Sequence, residues 1–513
     1  MVMPLGSGSS RQKGYIIRFY GRGMRKGARK KGFMKVLYVA SEAVPFIKTG
    51  GLADVAGSLP KELAKMGVDA RVILPKYSKI AEQYRSQMKH VGHIFVDVSW
   101  RHKYAGVDMI EQDGVTYYFV DNEDYFKRDG LYGYGDDAER FSFFSRAVLN
   151  LLPLLDFFPD VINSNDWHAA LVNVFLKLEH QGDERYANIK TVFSIHNLKY
   201  QGMFSKEIMD NVLGLDWKYF NNGDLEFHDA VNFMKGGIVY ADVVGTVSRT
   251  YAQEIQYPYF GEQLDGLLRT RGENIVGIVN GIDYDVYNPE TDPNLFVNYT
   301  ADTIGKKADN KEKLQEQLGL PVDRRIPMIG LVSRLVAAKG LDLIVRVMDE
   351  LLQAEECQFV LLGTGDKQYE DWFRGLQWRL PTKVSANIRF SNELAQRIYA
   401  GADLFLMPSE YEPCGLGQLI ALRYGTVPVV RATGGLKDTV ESFNKYTNQG
   451  NGYSFNNINA HDMLFTIKTA LADYRDPNIW QHVVENAINS DFSWHKSAEE
   501  YLDLYKRIAV KPE

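Results

Sequence analysis

Two stretches of this sequence repeat one pattern, Thr49-Gly50-Gly51-Leu52-Ala53-Asp54 and Thr433-Gly434-Gly435-Leu436-Lys437-Asp438. A glycine pair lets the backbone approach a ligand closely, and a helix beginning there aims its free N–H groups and positive dipole end at an anion. Either loop alone reads more readily as a tight strand-to-helix turn. Two matching loops, each beside a cation (Lys48 and Arg431), point instead to phosphate held between them. Further cations are at hand. Val332-Ser333-Arg334-Leu335 closes an apolar run, and Lys339-Gly340 follows at an expected helix start, so Arg334 and Lys339 can face one ligand. Charge developing on a departing diphosphate needs such cations or oriented amide dipoles. The plain alternative, solvated surface cations, suits Lys339 better than Arg334.

The segment Pro408-Ser409-Glu410-Tyr411-Glu412-Pro413-Cys414-Gly415-Leu416-Gly417-Gln418 follows another apolar run, Leu404–Met407. Pro413 is placed to open a helix continuing through Leu419 to Tyr424. Glu412 then stands at the helix entrance, where its carboxylate can accept hydroxyl hydrogen bonds or stabilise positive charge on a reacting carbon. It can equally cap the helix and answer its dipole. Cys414 has no base or second thiol beside it and reads as packing.

These residues need strand ends and helix starts to hold them. From Lys35 onward, short apolar runs alternate with stretches of helical period, the pattern of parallel sheets covered by helices. Expected strands of a first half are Val36–Ala40, Ala70–Leu74, Thr116–Val120, Asp160–Ser164, Thr191–Ile195 and Val243–Val247. After the Asn-, Asp- and Pro-rich segment Asp283–Asn310 a second series runs Met328–Val332, Phe359–Leu362, Ile388–Phe390, Leu404–Met407 and Val427–Val430. The expected class is therefore α/β, with two doubly wound Rossmann-like domains. The boundaries fall at 34–274 and 275–491, followed by a helical tail 492–513 whose run Ala498–Ile508 has one apolar face.

At 513 residues the chain exceeds one ordinary core, and 45% hydrophobic with 24% charged residues is globular composition. No apolar run is long enough for a membrane span. The net charge of −6 gives no reason to expect nucleic-acid binding. Two distant cysteines, Cys357 and Cys414, suit a reducing cytoplasm and form no metal-type spacing. Residues 1–33 differ: nine Lys and Arg, no acid, many Gly and Ser. They read as a transit peptide, a disordered basic arm or, preferred, sequence ahead of the domain's natural start at Met34-Lys35.

Four motifs in register, KTGGLADV (Lys48–Val55), SRL with its lysine (Arg334–Lys339), EPCGL (Glu412–Leu416) and TGGLKDTV (Thr433–Val440), resemble the bacterial glycogen synthase and starch synthase family from about Met34 to the C-terminus. The resemblance implies a GT-B fold, two Rossmann-like domains facing a cleft, with the tail completing the first. It implies transfer of glucose from ADP-glucose to the non-reducing end of an α-1,4-glucan, with retention of configuration and neither metal nor cofactor. Carried over to these positions, Lys48, Gly50 and Gly51 meet the donor, and Arg334 and Lys339 neutralise the diphosphate. Glu412 holds the glucose, while the Cys414-Gly415-Leu416-Gly417 and Thr433-Gly434-Gly435 backbones complete the donor side. His196 contacts the transferred sugar, Asp166 stands beside it, and Phe390 lies against the nucleobase. Read without the resemblance, His196 is a structural hydrogen-bonder, Asp166 a helix N-cap and Phe390 a core aromatic. Gly417 departs from family members with a hydroxyl residue there, which leaves only a backbone N–H for phosphate.

Three other readings compete. Asp283-Tyr284-Asp285 has the carboxylate spacing a metal-dependent glycosyltransferase uses to hold a divalent ion on a nucleotide sugar; the donor itself, ADP-glucose or UDP-glucose, stays open on the residues alone. Trp100, Tyr104, Trp167 and Tyr200 would serve a catalytically inactive glucan-binding protein. A nicotinamide dehydrogenase is disfavoured because neither loop has the G-x-G-x-x-G spacing. Whether the chain is a monomer or a homo-oligomer is open at this level.

Overall fold

The computed structural model describes residues 33–509; the basic segment singled out above lies outside them apart from Phe33. The strands, in chain order, are β1 Lys35–Val39, β2 Asp69–Pro75, β3 Lys89–Val98, β4 Arg101–Gln112, β5 Val115–Asp121, β6 Val161–Asn165, β7 Lys190–Ile195, β8 Met203–Ser205, β9 Glu226–Phe227, β10 Ala230–Asn232, β11 Val243–Thr246, β12 Ile275–Gly277, β13 Met328–Val332, β14 Gln358–Leu362, β15 Val384–Asn387, β16 Leu404–Met407, β17 Val427–Arg431 and β18 Tyr453–Phe455. The first large sheet has the order β12-β11-β7-β6-β1-β2-β5-β4-β3 and the second β15-β14-β13-β16-β17-β18, while β8-β10-β9 form a small antiparallel sheet.

The second large sheet is wholly parallel, and the first is parallel except where β4 and β3 join it as an antiparallel ribbon. Parallel strands are buried on both faces, so β1 (KVLYV) and β14 (QFVLL) are near-continuous apolar runs. Between them lie helices with one apolar stripe. Gly51–Lys65 buries Leu52, Val55, Ala56, Leu59 and Leu63 on the first sheet. The last helix, Trp494–Ala509, buries Trp494, Ser497, Ala498, Tyr501, Leu504 and Tyr505 in that same first core.

Two expectations shift. The strand placed at Ile388–Phe390 lies instead at Val384–Asn387, because Val384 is the residue the core takes in, whereas Phe390 is 84% exposed. The first sheet also extends past the boundary at 274, since β12 pairs with β11 through Ile275, Val276 and Gly277. Among the described residues no helix is long and apolar enough to cross a membrane.

Strand order sets where a site can form. In the first sheet the order reverses at β1, between β6 and β2; in the second it reverses at β13, between β14 and β16. Open α/β sheets bind ligands outside the carboxyl ends of strands at such reversals. The segments following β1, β6 and β7 carry Thr49–Gly51, Asp166 and His196; those following β13 and β16 carry Arg334 and Glu412.

Candidate active site

These segments surround one cavity of about 1140 Å³. Its first-half wall includes Thr49, Gly50, Gly51, Asp166 and His196; its second-half wall includes Arg334, Lys339, Glu412, Cys414, Gly415 and Leu416. Trp167, Tyr132, Tyr134 and Tyr200 add aromatic surface. The structure thus gathers the candidates from both halves around a common hollow.

On the second-half wall, Lys339 Nζ donates to Glu412 Oε2 at 2.6 Å and Ser409 Oγ donates to the same oxygen at 2.9 Å. The carboxylate is held by its neighbours while its edge borders the cavity. Arg334 lines the same cavity, exposed and without a salt bridge among the described residues. Gly415 has φ +77°, and a Cβ there would come within 2.5 Å of Gln418 Oε1, so glycine is required at that turn.

On the first-half wall, Gly50 caps the helix Gly51–Lys65, whose first-turn N–H groups have no partner within the helix. Glu42, missed by sequence reasoning, braces this loop: Thr49 N and Thr49 Oγ1 donate to its Oε2 at 2.5 and 2.7 Å. Burial pushes the Glu42 carboxyl above its ordinary range, against the pull of the Thr49 and Gly50 amides. Its position just beyond β1 was the available signal. Asp166 sits at φ +53°, an uncommon conformation for a side-chain-bearing residue. Its Oδ1 accepts the His196 N–H at 2.8 Å. Burial raises the Asp166 carboxyl to about 7, the His196 and Asn197 amides pulling the other way. Burial also lowers the His196 imidazole to about 4, so it is neutral near pH 7.

Other candidates stand elsewhere. Lys48 pairs with Asp54 at 2.7 Å and does not line the cavity. Phe390 projects into solvent. Gly417 begins the helix Gly417–Arg423, where a Cβ would lie 3.0 Å from the Phe405 ring and 3.2 Å from Met407 Sδ, away from the cavity lining. Thr433, Gly434 and Gly435 are buried behind the wall. Thr433 Oγ1 and Gly434 N donate to Glu254 Oε1 at 3.0 and 3.1 Å, and Gly435 N donates to the Glu412 carbonyl at 3.1 Å. Arg431 donates its Nε to the Ser409 carbonyl at 2.9 Å and supports that loop from beneath. Cys414 is a free thiol that burial pushes up to about 12, consistent with packing. Trp100 and Tyr104 lie at the β3–β4 ribbon. The Asp283 and Asp285 carboxylates face Lys61 at 3.5 and 3.0 Å. Among the described residues no cluster of three or more His, Cys, Asp or Glu is placed to hold a metal.

The whole arrangement matches solved structures. The catalytic domain of starch synthase IV from Arabidopsis thaliana, bound to ADP and acarbose, aligns with a TM-score of 0.85 at 33% identity, covering 94% of this chain and 100% of that one. Sucrose-phosphate synthase from Thermosynechococcus elongatus aligns at 0.59 and 18% identity over 93% of this chain and 99% of that one, a likeness of fold alone. Residues 310–489 match the family described as glycosyl transferases group 1. The protein is a glycosyltransferase of the two-domain GT-B fold.

Residues 35–270 match the starch synthase catalytic domain. Glycogen synthase from Desulforamulus reducens is 55% identical over 475 residues, 93% of this chain and 99% of its own length. That from Clostridium acetobutylicum is 55% identical over 477 residues, 93% of this chain and 100% of its own. The chain belongs to the glycogen synthase and starch synthase family, and its function is glycogen synthesis.

Proposed function

We propose that the enzyme transfers glucose from ADP-glucose to the non-reducing end of an α-1,4-glucan with retention of configuration. The observation that carries this reading is the convergence, around one cavity, of the Arg334, Lys339 and Glu412 wall with the Gly50-Gly51 helix start, His196 and Asp166. The ADP bound to the starch synthase IV relative supports an adenine diphosphate donor. Arg334, Lys339 and the amides opening the helix Gly51–Lys65 take up the charge of the departing ADP. Glu412 and His196 accept hydroxyl hydrogen bonds from the transferred glucose, and Asp166 lies beside the reacting carbon. The aromatic surface of Trp167, Tyr132 and Tyr200 suits the apolar faces of an incoming glucan. A terminal glucan hydroxyl attacks from the face the diphosphate leaves, and the leaving oxygen takes its proton. Lys48 exchanges Asp54 for donor phosphate on binding. Two buried free cysteines fit a reducing cytoplasm.

Glycogen offered with ADP-glucose and with UDP-glucose in parallel tests this. The expected result is ADP release matched by lengthening of α-linked chains, persisting in excess chelator. Equal use of UDP-glucose overturns the donor assignment. Glucan binding without diphosphate release overturns the chemistry, and a loss in chelator restored by manganese or magnesium overturns the metal-free mechanism.

A further inference from the structure

Beneath His196 lies a run of buried side chains with defined hydrogen-bond polarity. Asn165 ends β6, one residue before Asp166, and is fully buried. Its Nδ2 donates to the Val39 carbonyl at 3.0 Å and the Asn163 carbonyl at 3.1 Å. Turning the amide over would set its oxygen against two carbonyl oxygens, so its orientation is fixed. Asn165 Oδ1 therefore faces the other way, where Tyr38 Oη donates to it at 2.8 Å and His196 Nε2 lies at 2.9 Å. An amide oxygen only accepts, so the proton at that contact must belong to the histidine. The brace continues: Asn163 Oδ1 accepts from Ser194 Oγ at 2.8 Å, and Asn163 Nδ2 donates to Tyr505 Oη at 2.7 Å on the C-terminal helix.

We infer that Asn165 is a positioning residue that holds His196 in its Nε2–H tautomer and so presents the unprotonated Nδ1 to the cavity as an acceptor for a hydroxyl of the transferred sugar. Nδ1 has no partner among the described residues, yet it is not a buried orphan as His168 Nδ1 is. The depressed basicity of His196 keeps that lone pair free near neutral pH. In the other tautomer the ring would lose the Asn165 bond and offer the sugar a donor where this one offers an acceptor. The catalytic part of the inference rests on the proposed glucosyl transfer; the tautomer itself does not.

The two parts are tested separately on the full chain. Long-range 1H–15N spectra of histidine-labelled protein, with His196→Gln identifying the signal, should show a protonated Nε2 and an unprotonated Nδ1. A protonated Nδ1, or a signal averaged between tautomers, overturns the inference whatever the enzyme's substrate. In Asn165→Ala the signal should become averaged, with kcat about tenfold lower, the value of one hydrogen bond, and KM for glycogen unchanged. Asn165→Ala combined with His196→Ala should be no slower than His196→Ala alone, and multiplying losses would overturn the positioning role. Should Asn165→Ala fail to fold, the unsubstituted protein's spectrum still decides the tautomer.

Discussion

The loops Thr49–Asp54 and Thr433–Asp438 are nearly identical in sequence but differently employed. Each receives a carboxylate from elsewhere in the chain, Glu42 on Thr49 and Glu254 on Thr433 and Gly434. The difference lies in what faces the glycines. A Cβ on Gly51 would meet nothing within 4 Å, and one on Gly50 nothing nearer than Glu42 Oε1 at 3.5 Å. A Cβ on Gly434 would lie 1.9 Å from the Glu412 carbonyl, and one on Gly435 2.1 Å from that of Cys414. The first pair keeps a helix start open to the cavity. The second admits the protein's own backbone, packing against the carbonyls of the segment that carries Glu412. One local pattern thus serves two purposes, and the surrounding tertiary structure decides between them.

The largest effect tests whether the wall positioned by the second loop carries the chemistry. Lys339→Ala and Glu412→Ala should each cut turnover by about 10²–10³-fold, the usual cost of removing a preorganised charge-stabilising group. Each also breaks the Lys339–Glu412 pair, so a stability loss of about 1–3 kcal/mol accompanies it, and turnover is compared at a temperature where both variants stay folded. Near-normal rates with ADP-glucose in either variant would remove that residue from the mechanism.

Next comes the glycine asymmetry itself. Gly434→Ala forces a side chain into the Glu412 carbonyl at a positive φ and should cost about 3 kcal/mol of stability, with turnover falling as Glu412 moves. Gly51→Ala should leave unfolding unchanged within about 0.5 kcal/mol, the normal range away from packed sites, and raise KM for the donor. Denaturant unfolding and initial rates on both variants measure this. Equal destabilisation would mean that the two loops do the same work.

The carboxylates extend the comparison at lower cost. Glu254 joins the helix Arg249–Glu254 of the first half to the second loop, beside the Thr250 N to Asp438 bond of 2.9 Å. Glu254→Ala should remove about 1–2 kcal/mol of stability, because it strands a buried hydroxyl and amide. Glu42→Ala loosens a loop that borders the cavity, and its main effect should be a several-fold rise in donor KM. The reverse pattern, with Glu42 costing stability and Glu254 costing donor affinity, would exchange the assigned roles.

How far all this was legible depended on the range of the interaction involved. Central strands were readable because burial on both faces writes a continuous apolar run, as at Leu404–Met407. The ribbon β3–β4 escaped because its outward residues, such as His93, Asp97 and His102, break the run. Ile388–Phe390 misled because apolar character was read as burial, while Val384 filled the core position. Arg334 and Glu412 could be picked out because they lie in segments that follow apolar strands, whereas Asp166 and His196, also at strand ends, gained their roles only through the family resemblance. Asn165 and Glu254 could not be picked out, because their work depends on partners set by the fold: Asn165 meets His196, 31 positions away, and Glu254 meets Thr433, 179 away. The two glycine loops mark the limit of local reading, since their shared letters contain nothing that tells an open cavity from a covering backbone.

The smallest effect concerns the charge beside the first loop. Asp166 has its carboxyl raised to about 7 by burial, whereas in the unfolded chain it titrates near 3.9. Between these values the folded protein binds more protons than the unfolded one. This group's contribution to stability therefore falls as pH rises from about 4 and levels off above about 7. Between pH 6 and 8 the fall amounts to about 1 kcal/mol. Asn at 166 tolerates the same positive φ and keeps an oxygen for the His196 N–H, yet it cannot ionise. Asp166→Asn should therefore lose that slope and gain stability relative to the parent toward pH 8. His196 does not mimic the trend, because a depressed imidazole loses stability in the opposite direction, as pH falls from about 6.5 toward 4. Unfolding measured across pH 6–8 in both proteins reads the difference, and parallel curves would show that Asp166 is already ionised throughout.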